Sequence, residues 1–278
     1  MASADRNSSA TVQALGAQVF LALTALGDWS AFAGLTLAWL VRRRPSQRTF
    51  LTSCYFVGVR SVGVIMITGA FIGMVLAVQT YGQFHRLGLS TRLGSIINVS
   101  VVRELGPVLA ATMLAGRVGS AMAAEIATMR ITEQIDALAV LGANPVHYLV
   151  VPRLLSCLLL IPLLTILADF TGVMGGALIS IKIYHIESYY YWLHSEGYVG
   201  VWDLASGAFK SIFFGAAMAL ISCYFGFRSA PGAQGVGRAA TQAFVASFIA
   251  ILALDFFLAM FLNSVHDRIW PMPAGRVF

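Results

Sequence analysis

The sequence predicts an all-α integral membrane protein that consists of one domain, residues 1–278. Hydrophobic residues make up 58% of the chain and charged residues only 11%, whereas a soluble domain carries roughly 25% charged residues. Five apolar runs are also long enough to cross a bilayer as helices, which takes about 20 residues. These five predicted transmembrane helices are residues 55–80, 93–116, 149–181, 207–227 and 241–264.

A sixth apolar run, residues 12–41, precedes these helices and ends in the basic segment RRRPSQR. Its length and apolarity favour a further span. Asp28 within the run, and Trp29 and Trp39, which suit the headgroup region, are instead typical of a helix that lies in the membrane surface. The residues of this run therefore leave both interpretations open.

The distribution of arginine predicts the orientation of the helices. Arg42, Arg43, Arg44 and Arg48 lie directly before the first predicted span, and arginine collects on the cytoplasmic side of membrane proteins. We therefore expect the N-terminus in the cytoplasm and, after five spans, the C-terminus on the outer side. The net charge of +6 fits contact with anionic lipid, and we expect no nucleic-acid partner.

Motifs for catalysis, nucleotide binding and metal binding are absent from the sequence. Its lysines, Lys182 and Lys210, follow isoleucine and phenylalanine, so neither belongs to the GxxxxGK[ST] loop that binds ATP. No GxSxG, HExxH or CxxC motif occurs. We expect no enzyme activity, no metal and no cofactor held by this chain.

Charged residues lie within the predicted spans: Arg103 and Glu104 in the second, Lys210 near the outer end of the fourth and Asp255 in the middle of the fifth. A charge at the bilayer centre costs roughly 2.5–3.5 kcal/mol on insertion scales, so each needs a partner, water or a ligand. Arg103 and Glu104 cannot satisfy each other, because neighbours on a helix point about 100° apart. Two interpretations remain open: structural ion pairs, or a polar patch in a cavity where the cations bind a lipid phosphate. Pro107, which frees a backbone carbonyl, is typical of a cavity wall.

The segment 124–140, between the second and third spans, predicts a short amphipathic helix on the cytoplasmic side. Ile131, Ile135 and Leu138 form one apolar stripe at helical spacing. This helix is either an ordinary interfacial helix or a docking helix for a cytoplasmic motor, since its acids suit basic residues of a partner. The charged residues of the segment are Glu125, Arg130, Glu133 and Asp136.

Glycines repeat at helical spacing in two spans. Gly69 and Gly73 are four residues apart, as are Gly172 and Gly176. Small residues at this spacing let helix backbones approach closely. The pattern therefore predicts a tightly packed helix bundle and is compatible with a dimer.

Together, four segments resemble the MlaE/YrbE permeases, the membrane subunits of MCE-type lipid ABC transporters. The resemblance extends over about residues 50–264, and its block RELGP…AGRVGSA…AEI is highly specific. The matching segments are GAFIGMVLAVQTY (69–81), RELGPVLAATMLAGRVGSAMAAEI (103–126), MRITEQIDAL (129–138) and ALDFFL (253–258).

The resemblance implies a homodimer of five-span subunits in a bacterial inner membrane, with the N-terminus cytoplasmic and the C-terminus periplasmic. It assigns residues 12–41 to an interfacial helix and 124–140 to a coupling helix. Cytoplasmic ATPase subunits, which bind the ATP and Mg, would dock on that helix at its four charged residues. A hexamer of MCE-domain protein would sit on the outer face, and some systems add a STAS-domain protein.

The resemblance also implies a cavity at the dimer interface that binds glycerophospholipid. The segment HRLGLSTR (85–92) is more basic than is typical of the family. The expected function is ATP-driven lipid transport between the inner membrane and the MCE conduit, which maintains outer-membrane lipid composition. A sterol or other hydrophobic cargo, and a secondary transporter driven by an ion gradient, remain alternatives. The residues that the resemblance assigns to the lipid are Arg103, Glu104, Lys210, Asp255, Leu76, Gln79, Tyr81 and Phe84.

Overall fold

The computed structural model describes residues 2–43 and 45–269, and every regular element in these ranges is helical. Residues 1, 44 and 270–278 of the predicted domain lie outside the described residues. The helices are α1 (Ala2–Arg42), α2 (Gln47–Arg86), α3 (Leu93–Ile131), α4 (Gln134–Val140), α5 (Val146–Ile183), α6 (Ser188–Tyr198), α7 (Val201–Phe227) and α8 (Ala233–Ile269).

Five of these helices, α2, α3, α5, α7 and α8, are long and apolar enough to cross a membrane. They contain the five predicted runs, so the all-α fold with five membrane-crossing helices is confirmed. Each helix extends beyond its predicted run at one or both ends. Hydropathy detects only the hydrocarbon depth, whereas backbone hydrogen bonding continues into the polar flanks.

The five spans pack in an order that leaves two of them at the edges. Helix α2 packs mainly on α5, which also contacts α3 and α7, while α8 packs on α7 and α3. The main hydrophobic core lies between the inner three spans, around buried Leu114, Leu154, Phe214 and Met218. Helices α2 and α8 therefore form opposite ends of the protomer.

The predicted glycines bring α2 and α5 into backbone contact. A Cβ atom on Gly73 would lie 1.8 Å from the carbonyl oxygen of Gly172. A Cβ atom on Gly175 would lie 2.2 Å from the carbonyl oxygen of Ala70, and one on Gly69 would lie 2.4 Å from Thr171. The close packing predicted from the glycine spacing is thus confirmed within one protomer.

Replacing Gly73 by alanine should force α2 and α5 apart. Overpacking of a close contact costs typically about 1–3 kcal/mol, so we expect a lower midpoint of thermal unfolding for the detergent-solubilised variant. Gly82→Ala is the matched control, because a Cβ on this glycine of the same helix meets no atom within 4 Å. Equal midpoints for the two variants would contradict the close packing.

The predicted coupling segment, residues 124–140, is divided in the structure. Helix α3 continues to Ile131, and α4 begins at Gln134 after a turn in which Glu133 adopts the left-handed conformation (φ 58°). The apolar stripe survives the break, because Ile135 and Leu138 are partly buried while the residues between them are exposed. One continuous helix was predicted because a left-handed glutamate has no signature in the sequence.

Helix α1 contacts the ends of two spans. Phe32 lies 5.9 Å from the ring of Tyr224 and 5.8 Å from that of Phe227, at the end of α7. Trp39 lies 5.7 Å from the ring of His147, at the start of α5. Both span ends belong to the predicted cytoplasmic side. The interfacial placement of residues 12–41 stays a prediction that these contacts support.

Candidate functional site

An ionic cluster centred on Lys210 joins three spans. The Lys210 side chain, on α7, is buried, and its Nζ lies 2.5 Å from Oε2 of Glu104 on α3. The same Nζ lies 3.1 Å from Oδ1 of Asp255 on α8. Three of the four charged residues predicted within the spans therefore meet in one protomer. These contacts are structural ion pairs, one of the two interpretations that the sequence left open.

The local backbone of α3 supplies a further partner for Lys210. Residues Val101–Leu105 form a π-helical turn, a local widening that is frequent at functional sites. Pro107 has no N–H, so it leaves the carbonyl of Arg103 without its helical donor. Nζ of Lys210 lies 3.4 Å from that carbonyl oxygen. The freed carbonyl thus becomes a further partner of the cluster.

Arg103 points to a second set of partners, which the sequence analysis missed. Its Nη2 donates to Oδ1 of Asn263 on α8, and its Nη1 lies 3.8 Å from Oδ1 of Asp203 near the start of α7. Asp203 lies seven residues before Lys210, which puts both on one face of α7. That spacing was the available signal. Asp203 also accepts a hydrogen bond from the backbone N–H of Gly200 at 2.9 Å.

The cluster is partly open on the surface of the protomer. Side-chain exposure is 32% for Arg103 and 40% for Glu104, against 2% for Lys210. Lys210 is therefore buried against the carboxylates of Glu104 and Asp255. Arg103 is the cation of the cluster that a ligand can reach. An accessible cation beside an accessible carboxylate can bind a group that carries both charges.

The other four residues predicted to bind lipid lie at the outer end of α2. The ring of Tyr81 stacks on that of Tyr184 at 3.7 Å. Leu76 and Phe84 are partly buried against the same hydrophobic cluster as Tyr81, and Gln79 is exposed. The eight predicted residues therefore form two groups with different packing partners.

The predicted coupling residues also divide into two kinds. Oε2 of Glu125 lies 2.9 Å from Nη2 of Arg153, and Arg130 donates to the carbonyl oxygen of Phe227. Glu133 and Asp136, in the turn and in α4, are exposed. Glu125 and Arg130 thus hold the predicted cytoplasmic end of the bundle together, whereas Glu133 and Asp136 are exposed.

Helix α6 lies over the outer ends of α3 and α5 and is held by buried polar groups. Asn98 Nδ2 donates to Oγ of Ser195 at 2.9 Å, and the Tyr191 hydroxyl donates to Oδ1 of Asn98 at 3.3 Å. Burial raises the pKa of Tyr191 to about 12, so the hydroxyl keeps its proton at physiological pH. Residues Ser188–Tyr198, between the third and fourth predicted spans, therefore form a helix that is anchored to α3.

A helical chain with five helices able to cross a membrane, and with ionic groups paired between three of them, is an integral membrane protein of the helix-bundle class. The family model for the permease MlaE matches residues 50–261. The chain belongs to the MlaE permease family, as its motifs predicted, and is an ABC transporter permease.

Relatives from bacteria and plants agree with this assignment. The chain is 41% identical to a probable ABC transporter permease of Synechocystis over 226 residues, which cover 81% of this chain and 86% of the relative. It is 40% identical to a probable ABC transporter permease of Rickettsia felis over 84% of this chain and 90% of the relative. It is 37% identical to the chloroplastic protein trigalactosyldiacylglycerol 1 of Arabidopsis thaliana over 82% of this chain and 65% of the relative.

Proposed function

We propose that this permease moves glycerophospholipid through the bacterial inner membrane, to or from an outer conduit of MCE-domain protein. The partly exposed ionic cluster is the observation that carries the proposal. A phospholipid headgroup supplies a phosphate for Arg103 and, where it is zwitterionic, an ammonium for Glu104. A sterol has no ionic headgroup and would leave these charges without a ligand. The Arabidopsis relative also bears the name of a glycerolipid.

The working unit is a homodimer that encloses the cluster. Helix α8 is an edge helix that exposes Phe256, Phe257 and Phe261 beside Asp255 and Asn263. Apolar side chains are satisfied by lipid, but partly exposed charges at membrane depth need water or protein. A second copy placed against α8 would cover the phenylalanines and enclose a hydrated cavity around the charges.

Partner ATPases on the cytoplasmic side supply the energy for lipid transport. Beside exposed Glu133 and Asp136, the end of α4 presents Val140 and Leu141, which are 88% and 81% exposed. A small apolar patch rimmed by charge is typical of a protein-docking surface. The ATPases would hold the ATP and Mg, an MCE hexamer would cap the periplasmic face, and a STAS-domain protein would bind the ATPases. This arrangement puts the N-terminus in the cytoplasm and the C-terminus in the periplasm.

Arg103→Ala should lower lipid transport about tenfold, because a hydrogen bond to a charged group contributes about 1.5–3 kcal/mol. The measurement is ATP-dependent transfer of labelled phospholipid between liposomes that hold the whole complex and soluble MCE protein. Arg92→Ala, at the outer end of α3, removes an exposed arginine outside the cluster and is the control. Unchanged transfer by Arg103→Ala would refute the headgroup site. Transfer driven by an ion gradient without ATP would favour the secondary transporter.

A further inference from the structure

An apolar groove lies at the end of the protomer opposite α8. It is formed by the outer halves of α2 and α5 and has a volume of about 800 Å³. Met66 and Met74 of α2 line it together with Met174 and Leu178 of α5. This volume lies in the range of small-molecule sites, roughly 300–1,000 Å³, and flexible methionines adapt to ligands of irregular shape.

Three polar groups collect at the outer end of this groove. Lys182, in the last turn of α5, lines it together with Ser188 and Trp192 of α6. The chain reverses between the two helices at His185, whose φ is 53°. This turn brings the start of α6 beside Lys182. A lysine, a serine and a tryptophan thus border one end of an apolar channel.

The cation at this end is available to a ligand. Lys182 is exposed and forms no ion pair with any residue in the described parts of the chain. The other lysine, Lys210, is by contrast fully paired. Helix α6, which carries Trp192, is anchored because the neighbouring Tyr191 donates a hydrogen bond to Asn98. The polar end of the groove is therefore preformed rather than a property of a mobile loop.

We propose that this groove binds an anionic phospholipid of the surrounding bilayer, with one acyl chain between α2 and α5 and the phosphate on Lys182, Ser188 and Trp192. Charge complementarity selects this occupant over a transmembrane helix of a partner protein, because an apolar helix would leave Lys182 without a counter-ion. The site is separate from the ionic cluster, which lies on α3, α7 and α8. Its lipid is a bound structural ligand and not the cargo.

The experiment measures binding of phosphatidylglycerol to the delipidated full complex in detergent, by native mass spectrometry and by the shift in thermal unfolding. We expect Lys182→Ala to weaken binding about tenfold, as for loss of a charge-assisted hydrogen bond. Lys182→Arg should retain most of the affinity. Arg86→Ala, which removes an exposed cation at the outer end of α2, should have no effect. Glycerol 3-phosphate, which has no acyl chain, should not bind.

A second pair of variants tests the apolar part of the groove. Met174→Trp should fill the channel and abolish the lipid-dependent stabilisation. Leu163→Trp is its control, because Leu163 is an exposed residue of the same helix that lines a different depression. Wild-type binding by Lys182→Ala or by Met174→Trp would overturn the proposal. A photo-crosslinker at position 174 that captures a partner protein's helix instead of lipid would also overturn it.

Discussion

Replacing Lys210 by methionine should both destabilise the permease and abolish lipid transport. The side chain of Lys210 is 2% exposed, and its Nζ lies 2.5 Å from Glu104 and 3.1 Å from Asp255. Without the ammonium, two carboxylates face each other at membrane depth. Removing one partner of a buried ion pair costs about 3–5 kcal/mol. We expect about 3 kcal/mol, because partly exposed Glu104 can recover some hydration. Unfolding by sodium dodecyl sulfate, followed by circular dichroism, measures this loss.

A neutral triple variant separates the structural role of this cluster from its transport role. Lys210→Met combined with Glu104→Gln and Asp255→Asn removes the unpaired charges together with the lysine. Replacing all partners of a buried ionic group often restores stability, so we expect near-normal unfolding but no recovery of transport. Recovery of transport would show that the cluster serves folding alone. Normal stability of the single variant would contradict the pairing.

Reversing the charges of Glu133 and Asp136 to lysine should uncouple the permease from its ATPase. Both side chains are exposed on or beside α4, and neither forms an ion pair within the residues that the structure describes. Like charges brought together at an interface cost several kcal/mol. The double variant should fold normally, co-purify at least about tenfold less ATPase and lose lipid-stimulated ATP hydrolysis.

Two controls distinguish docking from a general effect of charge. Glu196→Lys with Asp267→Lys makes the same change at exposed positions on the opposite side of the predicted topology, and should leave ATP hydrolysis unchanged. Glu133→Gln with Asp136→Asn removes the attraction without adding repulsion and should give an intermediate loss. Full co-purification and normal hydrolysis in the lysine variant would exclude α4 as the docking element.

The spans and the charged residues inside them were accessible from the sequence for a simple reason. Apolarity over about 20 residues and charges inside such runs are local properties that need no tertiary information. The motif RELGP identified the family, and the glycine spacing predicted the close helix packing that the structure shows between α2 and α5. Each of these predictions depended on residues that are close together in one segment of the sequence.

The partners of Arg103 could not be predicted in the same way. Val101–Leu105 and Ala115–Gly119 are π-helical turns, each equivalent to one inserted residue, which shifts the helical phase by about 100°. A helical face that is defined from residues at one end of α3 therefore does not continue along the same residues at the other end. Asn263 carries no charge, and Asp203 lies before the apolar run of its helix. The only signal was the seven-residue spacing between Asp203 and Lys210, which is visible once α7 is known to extend back to Val201.

The groove beside Lys182 was also invisible at the level of sequence. Its methionines come from two helices, and Lys182 alone has the appearance of an ordinary interfacial lysine. Only the chain reversal after α5 puts Ser188 and Trp192 next to it. A site assembled from three helices in this way has no contiguous motif.

Helix α1 contacts the end of α7, the helix that carries Lys210 of the ionic cluster. Asp28 forms a 2.9 Å ion pair with Arg228, directly after α7, and Phe32 packs on the last turns of that helix. Helix α7 carries Lys210, and α8, which carries Asp255, begins five residues after Arg228. In the proposed transporter, a rotation of α7 that opens a path for a lipid would also move α1 through these contacts, so the tension and surface charge of the bilayer would act on the transport cycle.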